Sequence, residues 1–217
     1  MLLLILFIAV LSASCHEAKS PPKPLINHHT TMKTHQLDTA TLAGGCFWCI
    51  EAVFQRLEGV TSVVSGYAGG TPETANYKAV CSGTTNHTEA CTIEYDASVI
   101  TFAEILQVFF SAHDPTTPNR QGNDVGPQYA SVIYYHSPEQ ENTARAYIEQ
   151  LTAAKTWPGP IVTHVRQFTT FFPAEDYHQN YYNENGSQPY CSFVVRPKVE
   201  KFEKLFPDKV KKVSLSK

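Results

Sequence analysis

The segment of the chain best equipped for chemistry is Gly44-Gly45-Cys46-Phe47-Trp48-Cys49. Apolar residues recur at helical spacing after it, at Ile50, Val53, Phe54 and Leu57, and predict a helix that begins at about Cys46. The first turn of a helix has unpaired N–H groups and a partial positive charge, which favour a thiolate over a thiol. Cys46 is therefore a candidate nucleophile, and Cys49, on roughly the same helix face, is a candidate disulfide partner.

Two large aromatic residues, Phe47 and Trp48, separate these cysteines. A disulfide oxidoreductase of the thioredoxin type also has a C-x-x-C motif at a helix start, but the residues between its cysteines are usually small or polar. The aromatic pair suits a pocket that holds an apolar group, such as a methyl, beside the sulfur. A general disulfide oxidoreductase remains one alternative, and a non-enzymatic surface lipoprotein that binds metal or peptide is another.

Composition argues against several other classes of protein. Six cysteines in 217 residues are too few for a disulfide scaffold. Only Cys46 and Cys49 form a C-x-x-C motif, and neither a second pair nor spaced histidines follow, so a structural zinc site is not predicted. Haem attachment would need a histidine where Ile50 stands. The net charge of −3 gives no sign of nucleic-acid binding.

The N-terminus has the pattern of an export signal. Residues 1–11 are almost entirely apolar but fall short of the about 20 residues that span a bilayer. Residues 12–14 are small and precede Cys15, as at a bacterial lipoprotein cleavage site, which makes Cys15 a candidate for lipidation. No Lys or Arg precedes the apolar run, so an ordinary signal, cleaved or uncleaved, is the alternative. We expect an exported, periplasmic or membrane-anchored protein with a flexible tether over residues 16–36, and a cytoplasmic one if this signal does not work.

The rest of the chain alternates between strand and helix patterns. Strands are predicted at 39–43, 60–67, 89–95, 129–135 and 161–169. Further helices are predicted from a capping box at Thr101–Glu104, from Ser137-Pro138, over 175–185 and from near Pro197. A long loop is expected at 113–128, and 71–89 is polar and rich in turn residues. This order predicts an α/β or α+β domain, one mixed sheet covered by helices, over residues 37–208, followed by a solvated basic tail at 209–217.

Several motifs, in the same order along residues 38–207, resemble those of the A-type peptide methionine sulfoxide reductases. They are Gly45-Cys46-Phe47-Trp48, Gly66-Tyr67-Ala68-Gly69-Gly70, Tyr77-Lys78-Ala79-Val80-Cys81-Ser82-Gly83, His87-Thr88-Glu89, Gln121-Gly122-Asn123-Asp124 with Gln128-Tyr129, and Glu175-Asp176-Tyr177-His178-Gln179. The chain departs from the family pattern at Asn86 and at Ala75-Asn76, which both lie in predicted turns. So many ordered matches make a chance resemblance improbable.

The resemblance implies a ferredoxin-like two-layer sandwich and the thiol-dependent reduction of methionine S-sulfoxide, without a metal or organic cofactor. By the same resemblance, Cys46 would attack the sulfoxide sulfur and Glu89 would protonate its oxygen. Phe47 and Trp48 would hold the methyl group. The remaining implied site residues are Tyr77 and Tyr129, which would hydrogen-bond the sulfoxide oxygen together with Glu89, and Asp124, which would help through a water or a neighbouring amide.

Recycling would need a second thiol, because the reaction leaves Cys46 as a sulfenic acid. Thioredoxin or an equivalent dithiol would then reduce the resulting disulfide. The family often keeps its recycling thiol in the C-terminal region, so Cys191 and Cys49, singly or together, are the candidates; residues 186–189 are expected to be flexible enough for Cys191 to swing. Cys81, Cys91 and His178 are expected to be packed side chains, and a monomer is expected.

Overall fold

The computed structural model describes residues 36–212, which contain eight strands and six α-helices. The strands are β1 (Leu37–Ala43), β2 (Val60–Ala68), β3 (Thr88–Asp96), β4 (Arg120–Gln121), β5 (Asp124–Val125), β6 (Val132–Tyr135), β7 (His164–Gln167) and β8 (Phe171–Pro173). The helices are α1 (Phe47–Phe54), α2 (Tyr77–Cys81), α3 (Phe102–Ala112), α4 (Pro138–Ala153), α5 (Tyr181–Asn185) and α6 (Arg196–Leu205). Within this range no helix is long and apolar enough to cross a membrane. The predicted signal peptide, the lipidation candidate Cys15 and all of the predicted tether up to residue 35 lie outside the described residues.

Six strands form one mixed sheet in the order β7-β6-β1-β3-β2-β8. β7 runs parallel to β6, and the other neighbouring pairs are antiparallel. The succession β1-α1-β2-β3-α3-β6 is a split β-α-β unit of the ferredoxin-like kind, with its four strands in the order β6-β1-β3-β2. The predicted α+β class, with a single mixed sheet covered by helices, is confirmed.

Helix α1 lies in the centre of the larger hydrophobic core. Every residue of α1 except Trp48 is buried. The helix contacts β2 and β3 of the sheet and also α3, α5 and α6. Its sequence is accordingly apolar on nearly all sides, with Glu51 as the exception. The rigidity of this enclosed helix fixes the position of the cysteine that precedes it.

Two glycines, Gly44 and Gly45, connect the end of β1 to the start of α1. Gly45 has a φ of +86°, which side chains rarely tolerate, and a Cβ atom there would lie 2.6 Å from the side chain of Gln121. A Cβ atom on Gly44 would lie 2.8 Å from the ring of Phe109. The double glycine therefore lets the β4–β5 region and α3 approach the backbone in front of Cys46.

Two predicted helix starts are confirmed by their hydrogen bonds. Thr101 and Glu104 form the reciprocal capping box at the start of α3. The side chain of Ser137 accepts a bond from the Gln140 amide at 3.2 Å, ahead of Pro138 in α4. Strand ends are predicted less well. β6 begins at Val132, three residues after the predicted start, because Pro127–Tyr129 forms a 3-10 turn.

The helix predicted over residues 175–185 is wrong. Asp176–His178 form a 3-10 turn, Gln179 is extended, and Asn180 has a φ of +54° before α5 begins. The break has a tertiary cause, since the side chain of Gln179 bonds the backbone of both Ser65 and Ala174 and so fastens this segment to the edge of β2. Such distant partners override the local helical pattern.

Three further segments add to the predicted pattern or differ from it. The turn-rich stretch after β2 contains the short helix α2, capped by the Asn76 side chain. The final helix α6 begins at Arg196, as predicted near Pro197, and the sequence pattern did not indicate the π-helical turn, Cys191–Val195, that runs directly into it. The basic tail is half-buried and not fully solvated at its start, since Lys209 pairs with Glu104 and the Lys211 ammonium donates to the Gln55 carbonyl at 2.8 Å.

Candidate active site

Cys46 is the N-cap residue of α1 and is only 6% exposed. Burial raises the pKa of its thiol well above the ordinary value, and a hydrogen bond to Cys49 and the charge of Glu89 act in the same direction. A hydrogen bond from the Tyr190 hydroxyl acts against this rise in the pKa but does not cancel the effect of burial. Cys46 therefore rests as a thiol and must give up its proton in any reaction as a nucleophile.

Glu89 is a buried carboxyl group beside this thiol. It lies on β3, and its Oε2 atom accepts a hydrogen bond from the Phe47 amide at 3.1 Å. Burial raises the pKa of Glu89 to about 8, and the charges of Asp124 and Cys49 contribute. The group is therefore mostly protonated at neutral pH and can serve as a proton donor.

Two tyrosines approach the same point from separate segments. Tyr77 is the first residue of α2, and Tyr129 ends the 3-10 turn before β6. Burial raises the pKa of both hydroxyl groups, and the charges of Glu89 and Cys46 contribute to both shifts. Both phenols thus remain hydrogen-bond donors, close to the thiol and the carboxyl group.

Asp124 joins the site through a residue that the sequence analysis missed. Its Oδ2 atom accepts a hydrogen bond of 2.6 Å from the Tyr190 hydroxyl. The expected contribution of Asp124 through a water or a neighbouring amide stays a prediction. The Tyr190 hydroxyl also lies within hydrogen-bond reach of the Cys46 and Cys49 thiols. The sequence feature that could have identified Tyr190 as a site residue was its position next to Cys191.

An aromatic pocket surrounds the first turn of α1. The Trp48 ring stacks on Tyr181, with centroids 3.8 Å apart and planes inclined by 7°. His178 packs against Phe47, Trp48 and Tyr77 at centroid distances of 5.1, 5.5 and 4.4 Å. Among the described residues, neither ring nitrogen of His178 nor the Trp48 indole nitrogen has a hydrogen-bond partner. A mostly apolar pocket with a few unpaired polar atoms is typical of a small-ligand site.

Glu175, a second residue that the sequence analysis left without a role, fixes the backbone of α2. Its two oxygens accept hydrogen bonds from the Tyr67 hydroxyl at 2.8 Å and from the Tyr77 amide at 2.9 Å. Glu175 belongs to the Glu-Asp-x-His-Gln motif, and that motif was the available signal. Its hydrogen bonds explain how a segment more than 90 residues away positions the Tyr77 ring.

The structure separates the remaining cysteines by environment. Cys191 is fully buried in the π-helical turn, close enough to Cys49 for its charge to influence the Cys191 thiol, so the expected flexible arm is absent from this conformation. Cys91 is buried on β3, where its thiol donates to the Phe47 carbonyl at 3.5 Å. Cys81 is exposed at the end of α2. Within residues 36–212 no three side chains of His, Cys, Asp or Glu are grouped as metal ligands would be.

A buried thiol, an adjacent protonated carboxyl group, two phenols and an aromatic pocket define a thiol-dependent oxidoreductase. Residues 38–210 match the family model described as peptide methionine sulfoxide reductase. The peptide methionine sulfoxide reductase MsrA of Leptospira borgpetersenii serovar Hardjo-bovis is 54% identical over 168 residues, which cover 77% of this chain and 94% of that protein.

Solved structures agree with this match. The reduced form of Mxr1 from Saccharomyces cerevisiae is 33% identical, with a TM-score of 0.66 over 72% of this chain and 90% of that one. Methionine sulfoxide reductase A of Corynebacterium diphtheriae is 37% identical, with a TM-score of 0.63 over 69% of this chain and 75% of that one. The chain belongs to the peptide methionine sulfoxide reductase family and is an oxidoreductase of that type.

The raised pKa of Glu89 has a measurable consequence for stability. The folded protein keeps this proton up to a pKa of about 8, whereas the unfolded chain loses it near the ordinary 4.5. Stability from this group is therefore present at low pH and is lost as the pH rises between these values. Glu89→Gln stays neutral and keeps an oxygen for the Phe47 amide. Its free energy of unfolding, relative to wild type, should grow by on the order of 3 kcal/mol between pH 5 and pH 7.5.

Urea unfolding at several pH values measures this difference. Glu149→Gln, at an exposed position of α4, is the control for the loss of one carboxylate. If the difference in free energy of unfolding between Glu89→Gln and wild type did not change with pH, Glu89 would be ionised in the folded protein.

Proposed function

We propose that this protein reduces methionine S-sulfoxide, free or within proteins, to methionine, with Cys46 as the nucleophile and Glu89 as the proton donor, and so repairs oxidised proteins. The observation that carries the proposal is a buried thiol beside a carboxyl group whose pKa of about 8 keeps a proton available at neutral pH. Family membership supports the substrate class. The S configuration of the substrate is what the resemblance to the A-type reductases implies.

The chemical step transfers the sulfoxide oxygen to Cys46. The Cys46 sulfur attacks the sulfoxide sulfur while Glu89 protonates the oxygen, and methionine leaves as Cys46 becomes a sulfenic acid. The thiol of Cys46 loses one proton and the oxygen gains one, so the step needs no net proton from solvent. A carboxyl group with a pKa near neutrality suits this exchange, because it can both give and regain a proton.

Binding depends on the groups around the thiol. Phe47 and Trp48 would contact the methyl group of the substrate, and the hydroxyl groups of Tyr77 and Tyr129 would donate to its oxygen. The Asp124 carboxylate and the Tyr190 hydroxyl lie next to the thiol pair and would orient the second cysteine after the attack. Proximity of all these groups in one pocket supports the assignment.

Recycling would proceed through a disulfide. A second thiol condenses with the sulfenic acid, releases water and forms a disulfide with Cys46, and an external dithiol such as thioredoxin then reduces that disulfide. Cys49 is supported by its hydrogen bond to Cys46 in the resting site. Cys191 is supported by its position beside Cys49, although it must leave the buried π-helical turn to reach Cys46.

The central test is turnover of a methionine sulfoxide peptide with dithiothreitol. Cys46→Ser should abolish methionine formation, because the proposal makes the Cys46 sulfur the nucleophile that attacks the sulfoxide. Cys81→Ser is the control for the loss of one cysteine, and it should keep most of the turnover because serine retains a hydrogen-bonding group for the Tyr77 hydroxyl. Methionine formation by Cys46→Ser would overturn the mechanism. Insulin-disulfide reduction by a wild type that leaves the sulfoxide unchanged would favour a general disulfide oxidoreductase.

A second prediction separates chemistry from recycling. The double variant Cys49→Ser, Cys191→Ser should release one methionine per enzyme in a single turnover, because Cys46 and Glu89 are intact. It should lose turnover driven by thioredoxin, and the two single variants would show which thiol acts. Thioredoxin-driven turnover that persists in the double variant would mean that Cys81, Cys91 or thioredoxin itself attacks the sulfenic acid.

Export to the membrane is a third part of the proposal. It rests on the apolar residues 1–11 and on the small residues before Cys15. Cell fractionation should find the protein with membranes, and Cys15→Ala should release it or block its maturation. A full-length soluble product in the cytoplasm would contradict export.

A further inference from the structure

Glu51 is a buried carboxylate that the proposed reaction does not use. It is 1% exposed and is the one charged residue of the otherwise apolar helix α1. Burying a charged group is costly unless hydrogen bonds compensate. Glu51 lies three residues after Trp48, so the two side chains share a face of the helix.

Glu51 accepts hydrogen bonds from two consecutive backbone amides far along the chain, and the Ser65 hydroxyl is a further partner. Its Oε1 atom accepts from the Asn180 amide at 2.8 Å, and its Oε2 atom accepts from the Tyr181 amide at 3.1 Å. Asn180 has a φ of +54°, a conformation that costs energy for a residue with a side chain. The carboxylate therefore holds a strained backbone turn, and this turn carries the ring that stacks on Trp48.

That ring is the reason to connect Glu51 with substrate binding. Tyr181 covers one face of Trp48 at 3.8 Å, while the edge of Trp48 meets Tyr190 at 5.7 Å. A displacement of the Tyr181 backbone would free the indole of Trp48 to move. The position of the indole would then no longer be fixed relative to the Phe47 ring, whose centroid lies 6.0 Å away.

We propose that Glu51 is a positioning residue for substrate, which fixes the backbone of Asn180 and Tyr181 so that Tyr181 holds Trp48 in place as a wall of the methyl pocket. The inference rests on the proposed role of Trp48 in binding the sulfoxide methyl group. Glu51 touches neither the thiol nor the sulfoxide, so its loss acts on binding and leaves the chemical step intact.

The first experiment compares kinetic constants. Glu51→Gln keeps one acceptor oxygen but directs an NH₂ group at the other amide, and Glu51→Ala removes both acceptors. KM for a methionine sulfoxide peptide should rise by about tenfold in Glu51→Ala, with Glu51→Gln intermediate. The rate constant of methionine release in a single turnover at saturating peptide should stay within about threefold of wild type.

The matched control is Gln55→Ala, at the residue that caps the C-terminus of α1, one turn beyond Glu51. Gln55 also bonds α5, through the side chains of Asn180 and Asn183, but at the exposed side of the contact. If Glu51 acted only by attaching α5, Gln55→Ala should raise KM as well. We expect it to leave KM near the wild-type value.

A spectroscopic readout tests the positioning without turnover. The chain has two tryptophans, so in a Trp157→Phe background the emission comes from Trp48 alone. Glu51→Ala should shift this emission to longer wavelength and increase its quenching by acrylamide, and Gln55→Ala should not. A wild type that does not turn over the sulfoxide would count against the proposed function, whereas unchanged Trp48 emission in Glu51→Ala would overturn the positioning role.

A double-mutant cycle shows whether Glu51 acts through Tyr181. In a Tyr181→Ala background the ring is already gone, so adding Glu51→Gln should change KM no further. Because the cycle compares differences within one background, it stays informative if the single variants are less stable. Additive effects on KM would mean that Glu51 influences the site by another route and would overturn the proposal.

Discussion

The hydrogen bond from the Phe47 amide to Glu89 joins the helix that carries the nucleophile to the central strand of the sheet. Helix α1 can lie so deep in the core only because its sequence is apolar and because two glycines let neighbouring segments approach its start. The same burial raises the pKa of Glu89 to about 8 and that of Cys46 well above its ordinary value. Packing and acid chemistry therefore have one physical origin, which is the desolvation of this contact.

Desolvation also sets a conflict between stability and reactivity. A carboxyl group that stays protonated at neutral pH destabilises the folded protein relative to one that ionises freely. A buried thiol is shielded from solvent oxidants but is a poor nucleophile until it loses its proton. The site resolves this conflict by placing the proton donor beside the thiol. The loss of stability is confined to the place where a neutral carboxyl group is useful.

Local signals in the sequence predicted much of the fold and the centre of the site. The glycine pair, the spacing of apolar residues after Cys46 and the capping box at Thr101 depend on neighbours within a few positions, so they could be read without the structure. The break at Asn180 and the contact of Tyr190 with Asp124 could not. Each depends on partners more than 60 residues away, and no periodicity in the sequence encodes such partners.

Three glutamates hold the aromatic walls of the pocket in the same way. Glu89 accepts the amide of Phe47, Glu175 accepts that of Tyr77, and Glu51 accepts that of Tyr181. In each case the carboxyl group of the glutamate binds the backbone amide of the aromatic residue and so fixes its position, and the three aromatic residues come from different segments.

The number of donors separates the roles of these carboxyl groups. Hydrogen bonds from Tyr77 and Tyr67 lower the pKa of Glu175 although burial opposes them. Glu51 accepts two amides, which favour its charged form against a burial that raises its pKa. Glu89 accepts a single amide and faces the charges of Asp124 and Cys49, so its neutral form is favoured most. Glu89 thus has the fewest hydrogen-bond donors of the three, and its pKa of about 8 leaves it a proton to give at neutral pH.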